Sequence, residues 1–177
     1  MGVILDFWRG KRASKHDSAA WQALCDQLCP GDASLYLEVE LSINNPMGYL
    51  KKFKDALRDR GIGKASEVTP WLALVDGLIS RAHLTELDWR LHAEELAFEL
   101  ENLAPCKERD VRLFALSESS SSTQVLLDEA VQALRRYSLD LLCLDIDSDC
   151  YPLAVVPLDR ASEVRRLASL VKQRIDI

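Results

Sequence analysis

Several things are scarce in this chain, and each scarcity closes off a class of function. No apolar run approaches the roughly 20 residues that a membrane-spanning helix needs. Positive charge is in the minority: 22 basic residues stand against 28 acidic ones, for a net charge of −6. A nucleic-acid protein neutralises phosphates with clustered Lys and Arg, so that class is not expected. The motifs GxSxG, HExxH and GxGxxG and the Walker phosphate loop are all absent. Histidine is rare: His16, His83 and His92 are scattered, with no catalytic partner at a telling spacing. Met1 to Trp8 is too short an apolar stretch for a secretory signal, and no small-residue cleavage site follows it.

Cysteine is present but unpaired in pattern. The five are Cys25, Cys29, Cys106, Cys143 and Cys150, an odd number, and Cys143 falls in an expected buried strand. This usage suits a reducing compartment better than a disulfide framework, so a cytoplasmic location is expected. Cys25 and Cys29 share a helix face, but neither a CxxC nor a His pair completes a metal site, and they read as buried apolar thiols.

What is there is one domain's worth of periodic segments. Residues 1–16, with Phe7, Trp8 and then Arg9, Lys11, Arg12 and Lys15, read as a loose N-terminal tail. Trp21, Leu24, Cys25 and Leu28 follow helical spacing and Pro30-Gly31 stops them. Residues 35–43 fit two patterns: Leu35, Leu37, Val39, Leu41 and Ile43 alternate as in a strand, while Leu35, Val39 and Ile43 also form a helical stripe. Asn45-Pro46 and Thr69-Pro70 each open a capped helix, and Gly61 closes the first of them. Residues 83–89 read as a short connector or strand, 91–103 as an amphipathic helix, and 111–116 as a strand followed by a polar loop. Ser121 and Gln124 form a capping box for the next helix.

The apolar runs Leu141 to Ile146 and Leu153 to Val156 flank the acidic link Asp147-Ser148-Asp149 and predict a β-hairpin. A final helix follows Pro157. The expected fold is therefore α+β: a helix-rich single domain over 17–177, with a small mixed sheet centred on a hairpin (141–146 and 151–156) between two helices. The strand at 111–116 would pair parallel to the hairpin through a helical crossover.

Six residues stand out as candidates for a binding site. Asp145, Asp147 and Asp149 form the densest carboxylate cluster, with Tyr151 beside them. Hard cations take carboxylate oxygen, which suggests a metal. A calcium loop fails in detail, because Cys150 stands where Gly is needed and Val156 where the bidentate Glu belongs. The plainer reading is that Asp147, Ser148 and Asp149 supply turn chemistry. Asp76 lies inside the apolar run Trp71 to Ile79 next to Gly77, and a buried Asp is costly unless paired. Either it faces a cleft or it sits at the edge of the stripe and bonds a backbone N–H or an Arg. Trp89 is an aromatic outside any helical stripe.

Trp71-Leu-Ala-Leu-Val-Asp-Gly-Leu, Leu87-Asp-Trp89 and Leu144-Asp-Ile-Asp-Ser-Asp-Cys-Tyr-Pro-Leu-Ala-Val-Val-Pro157 resemble segments of an uncharacterised bacterial family. Its members are small cytoplasmic proteins carrying a domain of unknown function. The resemblance implies a bacterial source and a single domain, and it carries over no catalytic residue.

Two function classes follow. One is a non-catalytic protein-interaction module whose acidic surface meets a basic partner protein, by analogy with toxin-neutralising immunity proteins. The other is a divalent-metal-dependent hydrolase or transferase with its metal on Asp145, Asp147 and Asp149, supported by Asp76. No basic residues for a phosphorylated substrate surround that cluster. The module is the expected class, with no cofactor.

Overall fold

The computed structural model describes residues 15–114, 116 and 122–177. Helices build the first half: α1 (Lys15–Leu28), α2 (Ala33–Asn44), α3 (Pro46–Lys52), α4 (Lys54–Asp59) and α5 (Pro70–Ser80). Local chemistry sets their ends. Asp32, Asn45 and Thr69 each cap a helix, their side chains accepting from the backbone N–H of Ser34, Gly48 and Leu72. Gly31 and Gly61 take the left-handed conformation that lets the chain leave α1 and α4. The ambiguous stretch 35–43 is helix. Leu35 and Val39 are buried whereas Leu37 is 59% exposed, an outcome that strand alternation does not allow.

The remainder alternates strand and helix: β1 (Leu84–Asp88), α6 (Ala93–Asn102), α7 (Ala104–Glu108), α8 (Thr123–Arg135), β2 (Leu139–Leu144), β3 (Cys150–Pro157), α9 (Ala161–Leu170) and β4 (Ile175–Asp176). The strands form one sheet in the order β1-β3-β2-β4. The expected hairpin is present as β2 and β3, in register from Leu139 opposite Pro157 to Cys143 opposite Leu153.

The sheet differs from expectation in one respect. Among the described residues every pairing is antiparallel, so the sheet they form is not mixed. The segment 111–116 is not a strand, although Val111, Leu113 and Leu116 are buried. Its backbone bonds go elsewhere: Val111 N–H to the Cys106 carbonyl at the end of α7, and Leu113 N–H to Glu101 on α6. The third and fourth strands are instead β1 and the two-residue β4.

Helices cover both faces of the sheet. On one, Leu142, Leu144, Ala154 and Val156 meet α1, α2, α5 and α9. On the other, Leu139, Leu141, Leu153 and Val155 meet α6, α7 and α8. Alternate residues of both hairpin strands therefore enter different cores, which is why each run reads as continuously apolar. Tyr49, Leu57, Val68 and Ala73 form a small third cluster beneath α3 and α4. The tail expected over 1–16 lies outside the described residues up to position 14, and α1 already includes Lys15. Ser121 of the expected capping box also lies outside them. Among the described residues no helix is long and apolar enough to cross a membrane.

Candidate functional site

The hairpin turn separates the three aspartates. Strand geometry stops at Leu144, and Asp147 adopts a left-handed backbone with φ 54°, so the alternation that would place all three on one face is broken. The Asp145 carboxylate accepts from the Asp147 N–H at 2.9 Å and pairs with Arg174 at 2.9 Å. The Asp145 carbonyl accepts from the Trp71 indole at 2.6 Å. Asp145 is thus a tie between the turn, α5 and the start of β4, while Asp147 is exposed. Among the described residues no group of three or more His, Cys, Asp or Glu is placed to hold a metal ion.

Asp149 instead lines a hollow together with Trp89. The hollow, of about 590 Å³, is lined by Trp89, Ser148, Asp149, Cys150 and Tyr151. An adjoining one of about 710 Å³ adds Glu86, Leu87 and Asp88. Trp89 is 54% exposed just beyond the end of β1. Its carbonyl accepts from the Thr123 hydroxyl at 3.1 Å, which ties it to the start of α8. The Arg90 guanidinium lies 4.5 Å from the centre of the indole ring. Of the six candidates, the structure gathers Trp89, Asp149 and Tyr151 and leaves Asp145, Asp147 and Asp76 outside that groove.

Behind the groove runs a half-buried chain of polar contacts. Arg60 at the end of α4 reaches Asp76 on α5 at 2.6 Å and Glu86 on β1 through two bonds, at 2.6 and 3.1 Å. Glu86 also accepts from the Cys150 thiol at 2.7 Å, and Ser148 Oγ lies 2.7 Å from that sulfur. Burial raises the Asp76 carboxyl beyond what Arg60 offsets, and its second oxygen is buried without a partner among the described residues. Burial alone would raise Glu86 too, but the bonds from Arg60 and Cys150 outweigh it and hold that carboxyl below its usual value. The Cys150 thiol is pushed up by burial and by Glu86, so it stays protonated and is a poor nucleophile. Gly77 serves the packing of α5 on α2, since an added Cβ would lie 2.5 Å from Leu35 Cδ1.

Arg60, Glu86 and Cys150 were not visible as a unit in the sequence, for they are 26 and 64 residues apart. The one local hint is Glu86 itself, which shares a strand face with the buried Leu84.

These features define an α+β domain with helices on both faces of an antiparallel sheet and an acidic, aromatic groove at the turn end of its central hairpin. The chain belongs to the family described as a domain of unknown function (DUF6630), whose match spans residues 20–177. No curated protein and no solved structure matches it.

Proposed function

We propose that this protein is a non-catalytic interaction module that takes a basic segment of a partner protein in the groove beside Trp89. The observation that carries the reading is the Arg90 guanidinium over the Trp89 ring, with Asp88 and Asp149 on the same rim. A guanidinium is attracted to an indole face by the ring quadrupole, and neighbouring carboxylates strengthen that attraction. This indole face accepts a guanidinium, and a partner's arginine would displace Arg90 from it. Among the groove's titratable groups, Cys150 is protonated and Glu86 is committed to Arg60, which supports binding over catalysis. The setting we propose is the reducing cytoplasm of a bacterium, in keeping with five unpaired thiols.

The test is fluorescence anisotropy with a labelled Gly/Ser peptide that carries four arginines. Binding is expected to strengthen as salt is lowered, and Trp89→Ala and Asp149→Asn are each expected to weaken it by about fivefold or more. Equal binding of a matched peptide with glutamates in place of the arginines overturns the reading, as does unchanged binding by Trp89→Ala.

A further inference from the structure

A second surface, on the outer side of α6, has a different character. The helix buries Ala93, Leu96 and Leu100, and its outward residues include Glu94, Glu95 and Phe98. Phe98 is 65% exposed, and Phe114, from the segment after α7, is 87% exposed. Between them is a hollow of about 460 Å³ floored by Ala93, Ala97 and Leu113, with Glu94 and Glu101 also lining it. No Lys or Arg occurs in α6.

We infer that this groove is a docking site for a short amphipathic helix of a partner protein, with Lys or Arg about seven positions apart and aliphatic residues three and four positions after the first of them. The spacing follows from the geometry of α6. Glu94 and Glu101 are seven residues apart on one helix, which is two turns or about 10 Å. A ligand helix lying along α6 repeats the same distance between its own residues i and i+7. Cations at those positions meet the two carboxylates, and the aliphatic residues between them cover Phe98 and the alanine floor. Glu101 is fixed at the groove, one of its oxygens accepting from the Leu113 N–H at 2.5 Å.

Charge argues against the other occupants. In a symmetric dimer the same patch faces itself, so Glu94, Glu95 and Glu101 of two copies would oppose one another. A phosphate-bearing surface, whether nucleic acid or anionic lipid, meets the same repulsion. The inference does not rest on the Trp89 groove.

The probe is a blocked 15-residue alanine-rich helical peptide with Lys at positions 3 and 10 and Leu at 6 and 7, all on one face, titrated into the full chain by calorimetry. Phe98→Asp and Phe114→Ser are each expected to weaken binding about tenfold, because they remove exposed contact residues and nothing in the core. Glu94→Gln is expected to weaken it about threefold at low salt and to have little effect at high salt. Trp89→Ala is expected to leave it unchanged. Absence of binding, or equal binding by a peptide with Glu in place of both Lys residues, overturns the inference. So does equal binding by Phe98→Asp when its circular dichroism and melting match the wild type. A wild-type dimer in sedimentation that Phe98→Asp converts to monomer overturns it as well, since the occupant is then a second copy.

Discussion

Gly77 passes so close to Leu35 that a methyl group on it would lie 2.5 Å from the Leu35 Cδ1. Leu35 is fully buried between α2 and α5 and has little room to retreat. Gly77→Ala therefore sets a gain in helix propensity, about 1 kcal/mol, against overpacking of about 1–3 kcal/mol. We expect a net loss of about 1 kcal/mol, read as a lower urea midpoint. Gly63→Ala, which adds its methyl to open space, is the control and should change little.

The hairpin carries both cores, so truncation within it is expected to be costly. Leu144 is fully buried in the face covered by α1, α5 and α9. Leu144→Ala removes buried methyls and leaves a cavity, for a loss of about 2–5 kcal/mol by chemical denaturation. A loss below about half a kcal/mol would mean that the strand is not packed as described.

What could be read in advance was what is encoded locally. Asn45-Pro46 and Thr69-Pro70 carry their caps in two adjacent residues, and both helices start where expected. The hairpin was legible because two apolar runs flank a turn. Residues 111–116 misled because Val111 and Leu113 alternate with exposed residues as a strand does, and only distant chain decides whether a ladder partner exists. The two-residue β4 carries no pattern at all. The carboxylate cluster failed for a related reason: its alignment assumed strand periodicity through a turn in which Asp147 has a left-handed backbone. The Arg60–Glu86–Cys150 contacts depend on tertiary structure and have no linear signature.

The Arg60 cluster sets an acid-side limit on stability. Glu86 titrates lower in the folded chain than in the unfolded one, so its contribution is present above the unfolded value near 4.5 and fades as pH falls through the folded value. Asp76 works in the opposite sense: raised by burial, it favours the fold at low pH and opposes it as pH rises through its folded value. Glu86→Gln leaves Arg60 with Asp76 alone and the Cys150 thiol without its carboxylate. Since Arg60 and Glu86 are about one-fifth exposed, we expect a loss of about 2 kcal/mol at pH 7, below the cost of breaking a fully buried pair. The difference between wild type and variant should shrink below pH 4.5 in urea titrations, and a constant difference would remove Glu86 ionisation as its source.

All five thiols are unpaired, and burial pushes Cys25 and Cys106 up to about 12 and Cys143 up to about 11. At pH 8 the folded chain is expected to react slowly with iodoacetamide, with Cys150, at the groove, modified first. In denaturant without reductant all five should react. A reproducible count of three would reveal a disulfide that the fold described here does not contain.

His83 links the end of α5 to α1, and its environment opposes protonation. Burial lowers its pKa, outweighing Glu108, the Leu28 carbonyl and Asp32, which favour the charged form, while Arg81 opposes it. Its Nδ1 is buried without a hydrogen-bond partner among the described residues, so an added proton would find no acceptor from them. With the folded pKa depressed, the neutral ring contributes stability above the unfolded value near 6.5, and that contribution is lost as pH falls through 6.5 toward the folded value. One proton bounds the slope at about 1.4 kcal/mol per pH unit. His83→Gln does not titrate, so its urea midpoint should fall less than that of the wild type between pH 7 and pH 5. Parallel curves for the two proteins would show that His83 takes up its proton equally well folded and unfolded, and that acid sensitivity in this range comes from elsewhere.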